Sequence, residues 1–277
     1  MNSDMFRILD DGSKKELEYD ICIVGAGVRM PQHFTLESMD VLRQCKIIYA
    51  LLPLEVQDWL RNYLIDPTVI NLFDIYESNA LRRNNYDRAV ETILSAAIEQ
   101  HPIAYVTPGN PVVLDSVTQG ILAGAPTHDL KVILYPGISS IDTIAVDLKY
   151  EIGHGLQMYD ASTFVAQGVQ PQVESACLLF QIFSFGTAYW VNELGRKSDA
   201  LAPLREYLLK FYPPNHAITF VASSVKKGVD PYICSIALGN ICDIDISKLS
   251  GTSLFIPRLH VPISDASFLD NMYKPLM

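Results

Sequence analysis

Asp20-Ile21-Cys22-Ile23-Val24-Gly25-Ala26-Gly27-Val28-Arg29-Met30-Pro31 reads as a buried strand that stops at glycine and turns. A continuous apolar run, rather than an alternating one, belongs to a strand covered on both faces, as in a parallel sheet flanked by helices. Two later stretches repeat the arrangement. The apolar run 103–106 leads into Thr107-Pro108-Gly109-Asn110-Pro111-Val112-Val113, and 131–135 leads into Pro136-Gly137-Ile138-Ser139-Ser140. Each puts glycine or proline where a strand ends. Several such strand ends together make the crevice in which an open α/β sheet binds a nucleotide-like ligand.

Outward from these stretches, strand and helix patterns alternate. Residues 35–44 predict a helix with Leu36, Met39, Leu42 and Cys45 on one stripe. Residues 46–52 predict a strand, 54–63 a helix and 69–73 a strand. A helix over 85–99 carries Ala89, Val90, Ile93, Leu94, Ala97 and Ile98 on one face, and 114–123 is a further helix. Such alternation predicts a largely parallel sheet. Beyond Pro136-Gly137, residues 139–148 predict a helix capped by Ser139 or Ser140. Strands are expected over 176–183, 217–223, 232–238 and 253–256, with a long helix over 199–211. The expected fold class is α/β, with two α/β domains, 18–135 and 136–262, and a short tail over 263–277.

Composition excludes several classes. Of 277 residues, 49% are hydrophobic, which suits a packed globular chain and not a disordered one. The net charge is -10 and no Lys/Arg cluster stands out, so no nucleic-acid partner is expected. Cys22, Cys45, Cys177, Cys234 and Cys242 are scattered and odd in number, which predicts reduced core thiols and a cytoplasmic location. The start, residues 1–19, is polar and charged, and no apolar stretch is long enough to span a bilayer, so no membrane association is expected. His33, His101, His128, His154, His216 and His260 show no paired ligand spacing, so no metal is expected.

Gly25-x-Gly27 lacks the third glycine of a dinucleotide fingerprint, and no Walker lysine is present. Taken singly, each glycine–proline stretch is equally an ordinary tight turn or helix cap. Their joint occurrence resembles the tetrapyrrole-methylase superfamily, the class III S-adenosylmethionine (SAM) methyltransferases. Val24 to Pro31 matches that family's Val-Gly-x-Gly-x-x-x-Pro loop. Gly109-Asn110-Pro111 resembles its Gly-Asp-Pro loop, with Asn for Asp. Pro136-Gly137-Ile138-Ser139-Ser140 matches its Pro-Gly-Val-Ser-Ser segment, with Ile for Val. The resemblance spans about residues 20–258 and implies SAM in a cleft between two α/β domains, S-adenosylhomocysteine (SAH) as product, and a homodimer.

A narrower resemblance is to borosin-type peptide backbone α-N-methyltransferases. It rests on Asn71-Leu72-Phe73-Asp74-Ile75-Tyr76-Glu77-Ser78-Asn79-Ala80-Leu81-Arg82-Arg83-Asn84-Asn85-Tyr86, on Tyr159-Asp160-Ala161-Ser162-Thr163-Phe164 and on Leu179-Phe180-Gln181-Ile182. It implies Tyr76, Arg82 and Tyr86 as catalytic residues and a precursor peptide, supplied in trans, as partner. Phe73 and Pro108 stand where relatives carry tyrosines. A SAM methyltransferase of a small molecule such as a tetrapyrrole, and a non-catalytic peptide-binding relative, are the alternatives.

The chemistry supports those positions. An amide nitrogen is a poor nucleophile because its lone pair is delocalised into the carbonyl. Methylating it requires loss of the N–H proton and stabilisation of the imidate oxygen. Arg82 and Tyr86 are four apart and share a helical face, and Tyr86 lies on the apolar side of its helix. A cation beside a phenol lowers the phenol's pKa, so Tyr76, with Tyr86, is expected as general base and Arg82 as the oxyanion donor. An arginine stacked on tyrosines at a helix start is the purely structural alternative. For SAM, the Gly109-Asn110-Pro111-Val112-Val113 turn offers backbone groups, and Ser139 and Ser140 offer hydroxyls at a helix start. The resemblance adds Pro31, Gln181, Ile182, Ala222, Ser223 and Thr252 to the cofactor set.

Overall fold

A computed structural model describes residues 18–64, 67–190, 198–261 and 264–272. Most of the polar start over 1–19 and the end of the 263–277 tail lie outside them. The chain divides into two compact units: Met1–Tyr76 with Asn84–Ser139, and Glu77–Arg83 with Ser140–Met277. The short stretch Glu77–Arg83 therefore leaves the first half of the chain and joins the second unit.

In the first unit, β1 (Ile21–Gly25), β2 (Ile47–Ala50), β3 (Thr68–Asn71), β4 (Ile103–Thr107) and β5 (Val132–Tyr135) form a sheet in the order β3-β2-β4-β1-β5. Every pairing is parallel. The chain first winds toward the β3 edge and then back toward the β5 edge. Right-handed crossovers in opposite directions place their helices on opposite faces. Accordingly α1 (Leu36–Leu42) and α2 (Leu54–Tyr63) pack Met39, Leu42, Val56 and Leu60 against Cys22 and Val24. On the other face, α3 (Arg82–Glu99) and α4 (Ser116–Gly124) pack Ala89, Ile93, Val117 and Ile121 against Ile21 and Ile23. Burial on both faces is why β1 reads as an unbroken apolar run, and full burial of each large aliphatic side chain contributes about 1.5–3 kcal/mol. Two expected core positions are corrected. Leu36 is 78% exposed because α1 is only seven residues long and Leu36 opens it, and Ile98 lies on the solvent side of α3.

In the second unit, β6 (Leu156–Asp160), β7 (Ala176–Phe180), β8 (Ala217–Ala222), β9 (Tyr232–Ala237) and β10 (Ser253–Ile256) form a mixed sheet in the order β6-β7-β10-β8-β9. Only β6 and β7 pair in parallel. Ile144 of α5 (Ser140–Leu148) covers one face against Leu178 and Phe255. On the other face lie Phe164 of α6 (Ala161–Ala166) and Leu204 and Leu208 of α7 (Ala202–Leu208), against Leu179, Phe220 and Leu254. The long helix expected over 199–211 is shorter: a 3-10 turn, Ser198–Leu201, precedes α7, which has Pro203 in its first turn. α8 (Ala266–Met272) occupies the tail. All five cysteines are free, three of them buried. No helix among the described residues is long and apolar enough to cross a membrane.

The sheet of the first unit closes on glycines. A Cβ at Gly137 would collide with the carbonyl of Gly109 and the backbone of Gly25, with no flexible side chain available to yield. Gly137→Ala is therefore expected to lower the unfolding free energy by about 1–3 kcal/mol in chemical denaturation. A loss below about 0.5 kcal/mol, as at an ordinary surface site, would contradict this packing.

Candidate functional site

The three glycine–proline stretches follow three neighbouring strands, β4, β1 and β5, and meet at the carboxyl ends of those strands. Ala26 N donates to Thr107 O at 2.8 Å, Gly27 N to Gly109 O at 3.1 Å, and Gly109 N to Gly27 O at 2.9 Å. A Cβ on Gly25 would lie 2.5 Å from Gly137 N and 2.6 Å from Gly109 O. Gly27 and Gly109 adopt φ of +74° and +69°, a left-handed conformation that glycine enters without steric cost. Above Gly109 a Cβ would meet nothing within 4 Å, so a ligand can approach that backbone closely. This bare backbone edge suits a nucleoside-like cofactor.

The loops around it are held by their own hydrogen bonds. Asn110 Oδ1 accepts from Val112 N at 3.1 Å and Asn110 O from Val113 N at 3.0 Å, so the Asn110 side chain shapes the turn. After β1, Arg29 N donates to His33 Nδ1 at 3.1 Å, and His33 N to Arg29 O at 2.9 Å. This closed turn holds Pro31 and seats His33 against Gly27, where a Cβ would overlap it. Burial, then the Arg29 charge, lowers the His33 pKa, which favours the neutral acceptor form. Ser139, buried at the same edge, ends the first unit, and Ser140 opens α5 in the second.

Also in the first unit is a cluster of phenols. Tyr76 follows a 3-10 turn, Leu72–Ile75, capped by Asn71, whose Oδ1 accepts from Gln57 Nε2 at 2.8 Å. The Tyr76 ring lies edge-on to Tyr86 with centroids 6.2 Å apart and edge-on to Phe73 at 5.7 Å. Tyr76 and Tyr86 both pack on the core beneath α3, so Tyr86 points inward as its spacing predicts. Tyr105 of β4, wholly buried, donates to Asp115 Oδ2 at 3.1 Å, while Asp115 Oδ1 accepts from Thr118 N at 2.9 Å and caps α4.

The electrostatics correct one expectation. The Tyr76 pKa is not held down by a cation. Burial pushes it up, and Tyr86 and Asp115 push it further. Tyr105 is raised in the same way, by burial first and then Asp115. The buried phenols are thus neutral hydrogen-bond donors at ordinary pH, because desolvation penalises phenolate. Tyr105 and Asp115 are absent from the residues singled out in the sequence. Tyr105 looks like core within the apolar run 103–106, and Asp115 looks like a helix cap, which it also is.

The second unit gathers the other candidates along one edge of its sheet. The pairings Asp160↔Phe180 and Ser253↔Val221 align the ends of β6, β7 and β8 with the start of β10. Ala222 ends β8, Gln181 and Ser223 directly follow β7 and β8, and Thr252 directly precedes β10. Their side chains differ in availability. Ile182 is buried in the core, and Thr252 Oγ1 is committed to Leu249 O at 2.8 Å. Ser223 Oγ donates to Asp147 Oδ2 at 2.6 Å, a charge-assisted bond that the sequence did not signal. Gln181 is exposed and adopts φ 61°, ψ 33°, unusual for a residue with a side chain.

Arg82 belongs to this unit. Its Nη1 donates to Ser184 Oγ at 2.9 Å and its Nη2 to Thr187 O at 2.6 Å. Its backbone N donates to Ala188 O at 2.8 Å, within a short antiparallel ladder that also pairs Asn79 N with Trp190 O and Trp190 N with Ala80 O. Two anchored terminal nitrogens fix the guanidinium plane, which is the condition for a preorganised oxyanion donor. Among the described residues no group of three or more His, Cys, Asp or Glu could hold a metal ion.

Comparison with known proteins agrees with this architecture. The model of the tetrapyrrole (corrin/porphyrin) methylases matches residues 20–223. A curated relative, the methyltransferase/ribosomally synthesized type II borosin cyclic peptide precursor pgiMA1 of Phlebiopsis gigantea, is 22% identical over 207 residues. The alignment covers 74% of this chain and 36% of the relative, so the chain spans about a third of that protein's length. Among solved structures, the methyltransferase CobJ aligns with a TM-score of 0.58 at 16% identity, over 86% of this chain and 94% of that one. Uroporphyrin-III C-methyltransferase from Thermus thermophilus, complexed with SAH, aligns with a TM-score of 0.56 at 15% identity, over 86% and 96%. The chain belongs to the tetrapyrrole methylase family and is a SAM-dependent methyltransferase of that two-domain α/β fold.

Proposed function

We propose that this enzyme methylates backbone amide nitrogens of a peptide presented as a separate chain, and that it does so as a homodimer without a metal. The observation that carries the reading is the two-point anchoring of Arg82, which prepares a fixed cation for a developing oxyanion. The similarity to a protein named as a borosin methyltransferase and peptide precursor supports it. So does the net charge of -10, which is unfavourable for an acidic tetrapyrrole with several carboxylates.

The proposed cofactor residues are Pro31, Gly109, Asn110, Pro111, Val112, Val113 and Ser139 in the first unit and, in the second, Ser140, Gln181, Ile182, Ala222, Ser223 and Thr252. When bound, SAM supplies an electrophilic methyl group. Arg82 stabilises negative charge on the substrate carbonyl oxygen as the amide loses its proton. Tyr76, kept neutral by burial, is the hydrogen-bond donor that the first unit offers to a peptide carbonyl. Tyr86 packs edge-on against Tyr76 and holds its ring. Asp115, which accepts from the Tyr105 hydroxyl and whose charge acts on Tyr76, is the proposed acceptor of the amide proton. The known structural relatives favour a second reading, a small tetrapyrrole as the methyl acceptor.

The two readings separate by mass spectrometry. Candidate peptides and a uroporphyrin-type tetrapyrrole are incubated with enzyme and SAM. Gain of one CH2 mass unit per transfer on peptide alone is expected, and gain on the tetrapyrrole alone would contradict the proposal. Arg82→Ala is expected to slow transfer about 10²–10³-fold, as for loss of other oxyanion donors. The raised Tyr76 pKa means the phenol stays protonated up to and beyond its ordinary value of about 10. Tyr76→Phe should therefore slow transfer by a constant factor from neutral pH to pH 9. A deficit that grows with pH across that range would indicate a phenolate base instead.

A further inference from the structure

Ser184 was not among the residues singled out in the sequence, yet its hydroxyl joins a candidate cofactor residue to the candidate oxyanion donor. It closes the 3-10 turn Ile182–Ser184 that follows β7. Arg82 Nη1 donates to Ser184 Oγ at 2.9 Å, and Ser184 Oγ lies 3.1 Å from Gln181 Oε1 and 3.2 Å from Gln181 O. A hydroxyl carries one proton and two lone pairs. Having accepted from Arg82, Ser184 gives its proton to Gln181. This bond turns the Gln181 side-chain carbonyl toward Ser184 and leaves its NH2 group outside the bond. Gln181 holds the left-handed backbone conformation noted above, which a side chain adopts only where its surroundings require it.

Around these side chains the network is mostly backbone. Thr187 O holds the other guanidinium nitrogen, and Ala188 O holds the Arg82 amide. Gly186 N donates to Ser162 Oγ at 3.0 Å, which ties the turn to α6. Ser184 is the one side chain through which a movement of Gln181 reaches the Arg82 guanidinium by hydrogen bonds among those described. Within the reaction proposed above, on which this inference rests, we propose that Ser184 is a positioning residue: occupancy of the cofactor side by SAM or SAH fixes Gln181, and Ser184 passes that constraint to Arg82. Serine bonding back to the turn's own first carbonyl would stabilise the loop equally well. That purely structural role would give no energetic link between Arg82 and the cofactor.

Calorimetric titration with SAH distinguishes the two without any methyl acceptor. Ser184→Ala and Arg82→Lys are each expected to weaken SAH binding by about 3–10-fold, and the double variant to be no weaker than the worse single one, as for residues acting as a unit. Ser184→Thr, which keeps the hydroxyl, should bind SAH as the wild type does. Unchanged SAH affinity in Ser184→Ala, or losses that multiply in the double variant, would overturn the proposal while leaving the cofactor reading intact. If Ser184→Ala does not fold, Arg82→Lys decides: unchanged SAH affinity overturns the link and weakened affinity supports it. Wild-type protein that binds no SAH would instead overturn the cofactor reading, and this inference with it.

Discussion

Gly25, Gly109 and Gly137 come together with no room for a side chain between them, and the chemistry-bearing end of the first unit depends on that contact. Three neighbouring parallel strands end there, and their loops pack backbone against backbone. Such packing leaves a floor of peptide groups rather than side chains. A bulky, polar cofactor can lie close to that floor because nothing projects from Gly109. The helices contribute by holding the strands in register. Alternate residues of β1 are fixed from opposite faces, so its carboxyl end cannot shift without disturbing two cores.

Charge management is divided between side chains in a way that follows from burial. Phenols sunk in an apolar core remain protonated, so they donate hydrogen bonds and do not act as bases unaided. A guanidinium keeps its charge in any of these settings and needs only to be aimed. Arg82 is aimed by a serine and a backbone carbonyl, both in the stretch after β7. Fixed donors of this kind stabilise charge without having to reorganise when it appears. Amide methylation creates such a charge, whereas transfer to an electron-rich ring carbon asks less of an oxyanion donor.

Much of the fold was legible because burial leaves a pattern. The parallel strands of the first unit are covered on both sides and read as Ile/Val runs, and α2 matches its expected bounds. β6 was not anticipated. Its residues Leu-Gln-Met-Tyr-Asp sit at a sheet edge, none of them fully buried, so no apolar run marks it. The glycine–proline stretches were legible because a strand end must turn, and Tyr86 was legible from helical spacing. The partners of Arg82 were not, since Ser184 and the carbonyl of Thr187 lie 102 and 105 residues away and a backbone carbonyl carries no sequence signal. Nor was the direction of the Tyr76 shift. Proximity of Arg82 in sequence suggested a lowered pKa, but desolvation depends on how deeply the ring is packed.

The position of the transferred methyl group tests the account most directly. Peptide treated with enzyme and SAM labelled with carbon-13 in its methyl group would be examined by two-dimensional NMR. The account predicts that the labelled methyl correlates with the backbone carbons on either side of an amide nitrogen, with loss of that amide's proton signal. A labelled methyl attached to carbon, or to a side-chain atom with every backbone amide proton retained, would contradict it.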